Sequence, residues 1–433
     1  MSQRALSVIT RIQPAERKTL EDLLDVIGND IDGKDLNHFI RFTDLTTVHF
    51  ACWVVLRSAP DTDAPSHSYP DTLVLETNFD GDLDSHLDEL IAHGGAALDA
   101  VYRCCEGWPA QGTAAPLLVK QYLTSHAVPT PAFYIGCPGQ TLGSIRNAIA
   151  VREELETFLD AEEQRQPLSG LSPGEVRQRL LEYLRTGAQT RPEISQETLE
   201  AQSRRSLHNI ILTLLIVVLA LPILFLLSPL ILFWYIVLRR LEAGDAGRPI
   251  PAPLPIDPRL FGKEDFCVQN HLTTLVEVKP GAFRLYTLKG ILAAINLLAK
   301  TIFITGQLGG IPTIHFARWI LMDNDRRLLF FSNYDGSWAS YLGDFVDKAN
   351  YGLTAVWSNT DRFPPATNLA WGGAQHIEAF KQWSREHNVY AAVWYSAYPD
   401  ETLRNLKNDI QIRDRIADPN LSEADVAAVL QLL

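Results

Sequence analysis

The sequence contains few cysteines, and they do not form pairs of a familiar kind. Five cysteines occur in 433 residues, and the closest two, Cys104 and Cys105, are adjacent. No Cys-x-x-Cys spacing occurs. An odd number of cysteines without metal-type spacing argues against a disulfide framework and indicates a reducing environment. The sequence therefore predicts no metal site and favours a cytoplasmic location for the folded parts.

The chain also lacks an excess of cations and the common catalytic motifs. Its 38 lysines and arginines face 51 aspartates and glutamates, a net charge of −13. Because nucleic-acid binding needs clustered cations, nucleic acid is not an expected partner. No phosphate-binding loop, Gly-x-Ser-x-Gly or His-Glu-x-x-His motif occurs. The N-terminus shows no apolar stretch followed by a cleavage site, so no signal peptide is expected.

One long stretch of the chain carries no charge at all. Residues Asn209–Leu238 are mostly leucine, isoleucine, valine and phenylalanine. About 20 such residues are enough to span the apolar core of a bilayer. We therefore predict a membrane-inserting segment at residues 208–240, with the lipid bilayer as a partner. The alternative is a long helix buried in a soluble core.

The flanks and the centre of this segment bear on its topology. Arg204-Arg205 precedes it and Arg239-Arg240 ends it, while Pro222 and Pro229 lie in its middle. Cationic flanks stay preferentially on the cytoplasmic side, and proline interrupts a helix. A single tilted span and a re-entrant hairpin both remain open. The symmetric flanks favour the hairpin, which places the rest of the chain on the cytoplasmic side of the membrane.

The chain repeats itself on either side of the apolar segment. Four blocks recur in the same order, with offsets of 266, 255 and 261 residues that differ only by loop lengths. Such order is the mark of an internal duplication. The matched blocks are Leu6–Pro14 with Leu272–Pro280, Thr47–Trp53 with Thr313–Trp319, Asn78–Gly81 with Asn333–Gly336, and Tyr134–Arg152 with Tyr395–Arg413.

Each copy is predicted to follow the order β-α-β-β-α-β, an α+β fold. Strands are indicated by β-rich runs and helices by a helix-starting proline or a capping residue before a helical stretch. The predicted strands of the first copy are Leu6–Ile12, Thr47–Leu56, Thr72–Asn78 and Pro131–Gly136. Its predicted helices run from Pro14 to about Ile27, from Asp82 to Ala97 and from Leu142 to Leu159.

This order resembles the ferredoxin-like fold, and in particular the dimeric α/β-barrel superfamily of dye-decolorising peroxidases, chlorite dismutases and small monooxygenases. The resemblance implies that the two modules pair into a pseudo-dimeric α/β barrel. It leaves the cofactor unknown, with haem as the candidate, because the sequence contains no convincing peroxidase haem motif. The expected organisation is a first module at 1–160, a charged, partly helical linker at 161–207, the membrane segment at 208–240, a proline-rich linker at 241–264, and a second module with a C-terminal helix at 265–433.

His49 and His315 are the leading candidates for chemistry. They occupy equivalent mid-strand positions, on the same face as the Ala and Trp that follow by alternation. A histidine in a barrel can act as a base or bind a metal or haem. The alternative is a hydrogen-bonded core histidine.

Two acidic positions and one arginine complete the candidate site. Asp80 and Asp335 end a strand before a helix, where an aspartate either caps the helix or acts as a catalytic acid. Arg318 replaces Cys52 in the repeat, and a charge in an apolar strand needs a partner. That partner is expected to be an acidic ligand, a haem propionate, Asp335, or a carboxylate in a plain salt bridge. The predicted catalytic residues are His49, His315, Asp335 and Arg318.

The two copies differ most in one apolar stretch. Residues Ile291–Gly310 carry a single charge, Lys300, whereas the corresponding part of the first copy is acidic. An apolar surface of this size usually marks a contact site, and the bilayer is the natural partner. The alternative is a helix buried against the other module.

Two functions are consistent with these features. The first is a membrane-associated enzyme, with oxidative chemistry as one option, that acts on a lipophilic or aromatic substrate in a barrel cavity. The second is a non-catalytic membrane-bound binding or scaffold protein that partners a redox enzyme. The histidines and the apolar surface favour the first, and the missing catalytic motifs favour the second.

Overall fold

The protein has an α+β fold with antiparallel sheets. The computed structural model describes residues 2–32, 40–60, 68–165, 168–193, 207–208, 210–212, 214–215, 218, 222, 225–247, 252–262, 264–303, 306–418 and 420–433. In these residues the strands are β1 (Gln3–Arg11), β2 (Val48–Leu56), β3 (Ala59–Pro60), β4 (Ser68–Tyr69), β5 (Thr72–Asp80), β6 (Ala132–Ile135), β7 (Gln269–Glu277), β8 (Ile314–Met322), β9 (Arg327–Asp335), β10 (Ala366–Thr367), β11 (Trp371–Gly372) and β12 (Ala391–Ser396).

The α-helices of the same residues divide between the two modules and the region that joins them. They are α1 (Arg17–Asp32), α2 (Leu83–Tyr102), α3 (Pro116–Ser125), α4 (Leu142–Arg165), α5 (Pro173–Thr186), α6 (Ser228–Ala246), α7 (Ala282–Thr301), α8 (Trp338–Trp357), α9 (Ile377–Glu386), α10 (Leu403–Ile416) and α11 (Glu423–Leu430).

The two large sheets exchange one strand each. One sheet has the order β1-β5-β2-β12 and the other the order β7-β9-β8-β6. β6 follows the long strands β1, β2 and β5 of the first module along the chain, yet it pairs with β8 of the second module. In the same way β12, at the end of the second module, pairs with β2 of the first. The last strand of each module is therefore part of the other module's sheet.

The chain leading into each exchanged strand stays paired with its own module. Ala127, just before β6, forms an antiparallel bridge with Val8 of β1, and Asn388, just before β12, bridges Thr274 of β7. Each final segment thus contacts both sheets in succession. Alternating periodicity predicts that a strand exists but not which strand it joins, so the sequence did not reveal this exchange.

The four central strands are buried on both faces, which explains their nearly continuous apolar sequences. β5 and β9 are buried along their whole length. Their outer faces pack on helices: α1, α2 and α3 cover the first sheet, and α7, α8 and α9 cover the second. The inner faces meet each other in two further apolar clusters, one around Phe50 and Phe316 and one around Val54 and Leu329.

Helix α1 of the first module packs directly on the exchanged strand β12, and a glycine permits the contact. A Cβ added at Gly28 would lie 1.9 Å from the Ala392 carbonyl oxygen. In an exposed helix, alanine stabilises by about 1 kcal/mol relative to glycine. Here we expect Gly28→Ala to lower the free energy of unfolding by about 1–3 kcal/mol through overpacking, measured by denaturant titration.

The matched control for this prediction is Gly352→Ala in α8. Gly352 is exposed, and an added Cβ there would meet no atom within 4 Å. We expect this variant to be neutral or more stable than the parent. Equal behaviour of the two variants would show that α1 does not pack closely on the exchanged strand.

The region at 161–207 is more than a linker where the structure describes it. Helix α4 continues to Arg165, and α5 begins with a capping box in which Ser172 and Glu175 bond each other's backbone N–H groups. Leu180 and Leu184 of α5 pack on α4, α10 and α11 in an apolar cluster of their own. This helical cluster ties the region after the first module to the C-terminus.

The predicted membrane segment is described in part. Residues 209, 213, 216–217, 219–221 and 223–224 lie outside the described residues. From Phe225 to Phe233 the large apolar side chains are exposed; those of Leu230 and Phe233 are both 61% exposed. Further along α6 the environment changes, since Leu238 and Glu242 are buried.

The second half of α6 docks on the second module. Trp234 Nε1 donates to Thr287 Oγ1 of α7 at 3.1 Å. The Glu242 carboxylate accepts the backbone N–H groups of Asn368 at 2.9 Å and Leu369 at 2.6 Å. A buried carboxylate that satisfies two backbone donors fixes the helix at this point. The apolar half of α6 therefore projects from a firmly attached base.

Helix α7 contains most of the apolar stretch Ile291–Gly310, of which residues 304–305 lie outside the described residues. Leu288 and Leu292 pack in the core of the second module. The opposite side is open, with Tyr286 69% and Leu297 49% exposed. Among the described residues, α7 is the one helix whose length and composition would suit a membrane span, which is weak support by itself.

Candidate functional site

His49 and His315 lie at β-bulges, which changes the direction of their side chains. The pairing register of β2 with β5 shifts between Val48 and Phe50, and that of β8 with β9 shifts between Ile314 and Phe316. A bulge inserts one residue and re-aims a side chain. Simple alternation put His49 on the face of Ala51 and Trp53. Instead, the His49 ring lies 5.4 Å from the ring of Phe316, between the sheets.

Each histidine meets the aspartate of its own module. His315 Nε2 lies 2.6 Å from Asp335 Oδ1. His49 Nε2 lies 3.1 Å from Asp80 Oδ1, at ion-pair distance but outside hydrogen-bond geometry. The other His49 nitrogen, Nδ1, is 3.1 Å from the hydroxyl of Tyr398. The structure thus pairs His49 with Asp80, and His315 with Asp335, at matching places in the two modules.

The two aspartates cap helices, but not the helices that follow them in sequence. Asp80 Oδ2 accepts the backbone N–H of Leu142 at 2.7 Å, and Asp335 Oδ2 accepts that of Leu403 at 2.8 Å. These residues begin α4 and α10. Helices α2 and α8 are capped by Asp82 and by a serine. The expected local caps were therefore wrong, because closer capping residues satisfy the adjacent helices.

These His–Asp pairs fasten strands to helices. Both imidazoles and both carboxylates are buried. Each pair links a strand bulge to the N-terminus of a helix that packs against the inner aromatic cluster. Negative charge at a helix N-terminus is stabilising. The arrangement accounts for all four groups as a structural element repeated in both modules.

Arg318 lies between the sheets and bonds almost entirely to the first sheet. Its guanidinium is 2.8 Å from the Glu76 carboxylate, not beside Asp335. It also donates to the Leu6 and Thr77 carbonyl oxygens and to Asn78 Oδ1, at 2.7–2.8 Å. Burial lowers the pKa of Arg318, and the charge of Glu76 opposes this effect. A plain salt bridge, one of the stated alternatives, is what the structure contains.

Cys52 and Glu76 are cross-strand neighbours on β2 and β5. The Cys52 thiol donates to Glu76 Oε2 at 3.2 Å, whereas Glu76 Oε1 accepts from the side-chain amide of Asn78 at 2.9 Å. Burial and the adjacent carboxylate raise the pKa of Cys52 well above its usual value. The thiol is therefore protonated in this arrangement.

His271 of β7 completes the cluster from the other sheet, and its tautomer is fixed. Trp394 Nε1 and His271 Nδ1 each lie 2.9 Å from Asn333 Oδ1. An indole N–H can only donate, so the Asn333 atom is an oxygen and His271 Nδ1 carries the proton. Nε2 then carries a lone pair, which accepts a hydrogen bond from the Thr273 hydroxyl at 2.8 Å. The same nitrogen lies 3.6 Å from Cys52 Sγ. Burial lowers the pKa of His271 and favours this neutral ring.

A cavity of about 120 Å³ lies beside this cluster. His271 lies both in the cluster and in the cavity wall. The wall is rich in aromatic side chains, and one of them, Tyr390, stacks under Arg259 at 4.4 Å. The aromatic lining consists of Tyr334, Trp338, Tyr390 and Trp394. The cavity therefore places aromatic side chains next to a titratable group of the cluster, His271.

The sequence does contain signals for Glu76 and His271, which differ from their counterparts in the other copy. Glu76 is the one charged residue within the strand Thr72–Phe79. Its repeat counterpart at offset 255 is Phe331, and the counterpart of His271 at offset 266 is Ala5. A search for residues that recur in both copies passes over the positions where the copies differ.

No known protein family matches the chain, and comparison with curated proteins and with solved structures gives no match either.

Proposed function

We propose that this protein is a membrane-bound binding or scaffold protein, with both modules joined in one body on the cytoplasmic face of a bilayer. The observation that carries the proposal is the exposed apolar surface formed by α6 and α7. It comprises the described apolar residues from Phe225 to Phe233 and the open side of α7 around Tyr286 and Leu297. Trp234 joins its two parts through Thr287.

The size of this surface supports a bilayer as its partner. Burying one large apolar side chain contributes about 1.5–3 kcal/mol, so several together outweigh the cost of association. Soluble monomers rarely expose contiguous apolar patches of this kind. The exposed residues from Phe225 to Phe233 belong to the uncharged segment predicted to insert. The second half of the same helix, α6, is docked on the second module through Glu242.

The pairing of strands supports a pseudo-dimeric α/β barrel built from ferredoxin-like modules. Read through the ladders and bridges, the strands follow one another as β1-β5-β2-β12-β7-β9-β8-β6 and back to β1. The equivalent His–Asp pairs and helix caps support the same internal symmetry. The inner space holds side chains from both sheets.

The exchanged strands also bear on membrane topology. Strands of the two modules bond to each other, and a bilayer core is about 30 Å thick, so one chain cannot keep its modules on opposite sides. The apolar segment would then enter and leave by one face. The arginine pairs at both ends support the cytoplasmic face.

An enzyme acting on a lipophilic or aromatic substrate is the second candidate. The aromatic cavity beside His271 favours it. The His–Asp pairs do not add to this candidate, because they are buried and engaged in holding the helices. Haem would have to displace side chains that pack between the sheets.

Vesicle flotation tests the membrane proposal. We expect the full chain to float with uncharged phosphatidylcholine vesicles and to stay bound in high salt, since apolar insertion is not screened. Glutamates at Leu226, Leu230 and Phe233 should reduce the floating fraction by at least tenfold, because each charge costs about 2.5–3.5 kcal/mol at the centre of an inserted helix.

The matched control places three glutamates on exposed apolar residues elsewhere, at Val26, Leu117 and Ile377. It has the same change in charge and should float like the parent. If the two triple variants float equally, or if salt alone releases the parent, the apolar surface is not the membrane contact.

A further inference from the structure

We propose that Cys52, Glu76 and His271 form a zinc-binding site beside the aromatic cavity. The proposal is independent of membrane binding. Cys52 and Glu76 come from the first sheet and His271 from the second, so the site forms only when the two sheets meet. Their ligand atoms all lie within 4.8 Å of one another.

The spacing of the ligand atoms suits a tetrahedral ion. Zinc bonds of about 2.0–2.3 Å place two ligand atoms roughly 3.3–3.7 Å apart around the metal. Cys52 Sγ lies 3.2 Å from Glu76 Oε2 and 3.6 Å from His271 Nε2. Thiolate sulfur, imidazole nitrogen and carboxylate oxygen are all ordinary zinc ligands.

Neighbouring groups orient two of the three ligands toward a common point. Asn333 accepts the Nδ1 proton of His271 and leaves the Nε2 lone pair facing Cys52. Arg318 and Asn78 both hold Glu76 Oε1, which leaves Oε2 facing Cys52. Such outer contacts set the tautomer and direction of metal ligands.

Binding exchanges one proton for the metal. Zn²⁺ replaces the hydrogen of the Cys52 thiol, which is released to solvent, and it takes the place of the Thr273 hydroxyl at His271 Nε2. The ion, the thiolate, the Glu76 carboxylate and the Arg318 guanidinium then sum to one positive charge. Three protein ligands leave a fourth position, which is the arrangement of catalytic rather than structural zinc sites.

The proposed site adjoins the cavity through His271. His271 is partly exposed, whereas Cys52 and Glu76 are buried. A small oxygen or nitrogen ligand that enters the 120 Å³ cavity past Trp394 would approach the metal from the His271 side. The sequence predicted no metal site because its ligands come from three separate strands without motif spacing.

Zinc titration of the metal-stripped full chain tests the proposal. A Cys267→Ser background removes a cysteine that the structure shows to be exposed. We expect one Zn²⁺ per chain by calorimetry, and Co²⁺ should give a thiolate-to-cobalt charge-transfer band. Cys52→Ser and His271→Gln should each weaken binding by at least a hundredfold, and Cys52→Ser should also abolish the cobalt band because it removes the thiolate.

Two further variants separate metal binding from folding. Cys104→Ser removes a thiol outside the cluster and should bind zinc like the background protein. Asn333→Ala removes an outer contact and should weaken zinc binding by about 10–100-fold while the cobalt band remains. Zinc should raise the melting temperature of the background but not of the Cys52 variant. Binding of well below one zinc ion per chain would overturn the proposal. So would folded Cys52 and His271 variants that bind zinc as tightly as the background protein.

Discussion

Replacing Arg318 by methionine is expected to lower the free energy of unfolding by about 3–5 kcal/mol, because it leaves the Glu76 carboxylate buried without its countercharge. Both side chains are almost completely inaccessible, and the guanidinium bonds groups on β1 and β5 while it is carried by β8. The loss should appear in denaturant titration followed by tryptophan fluorescence. The variant should also unfold with both modules destabilised together, since Arg318 links the two sheets.

A double variant isolates the charge from the packing. Replacing a whole buried ion pair by apolar residues is often close to neutral. We therefore expect Arg318→Met combined with Glu76→Leu to recover most of the loss, to within about 1 kcal/mol of the parent. Non-recovery would mean that hydrogen bonds of Arg318 to the backbone, and not its charge, hold the sheets.

An exposed ion pair provides the scale for comparison. Lys18 and Asp22 lie 2.9 Å apart on the surface of α1. Because solvent screens such pairs, Lys18→Met should leave the free energy of unfolding close to that of the parent. A loss of similar size for Arg318→Met would contradict the assignment of Arg318 as the buried link between the sheets.

The sequence predicted individual elements well where the pattern is local. The predicted strands Thr47–Leu56 and Thr72–Asn78 agree with β2 and β5 within two residues at each end. The helix predicted at Asp82–Ala97 agrees with α2, which extends to Tyr102. Apolar periodicity and capping residues are sufficient for such elements because both act over a few residues.

The strand exchange and the His–Asp pairs could not be predicted in this way. Which edge a strand joins depends on contacts far away in sequence, and β6 meets β8 across about 180 residues of chain. The bulges at His49 and His315 insert one residue and reverse the alternation that was used to place these side chains. The repeat nevertheless identified both histidines as equivalent, and the structure gives them equivalent partners.

The candidate metal ligands show a different limit. Cys52, Glu76 and His271 lack equivalents in the other module, where Arg318, Phe331 and Ala5 occupy the matching positions. Residues that stabilise both modules recur at matching positions, as the His–Asp pairs do, whereas a single site between the modules needs residues that differ. In this chain, the positions at which the modules diverge were therefore the better guide to a site.

The central claim is that the two modules form one body on one side of a membrane. Single cysteines at Gln189 and Ala252 lie on exposed positions before and after the apolar segment. They would be introduced with Cys267→Ser, since the other four cysteines are buried. A membrane-impermeant maleimide would be applied to sealed spheroplasts and again after lysis.

Because strands of each module are bonded into the other module's sheet, both sites must face the same compartment. We expect neither cysteine to react in sealed spheroplasts and both to react after lysis, because the arginine flanks favour the cytoplasmic side. Labelling of one site from outside and of the other only after lysis would contradict the account. It would place the modules on opposite sides of the bilayer, where the exchanged strands could not pair within one chain.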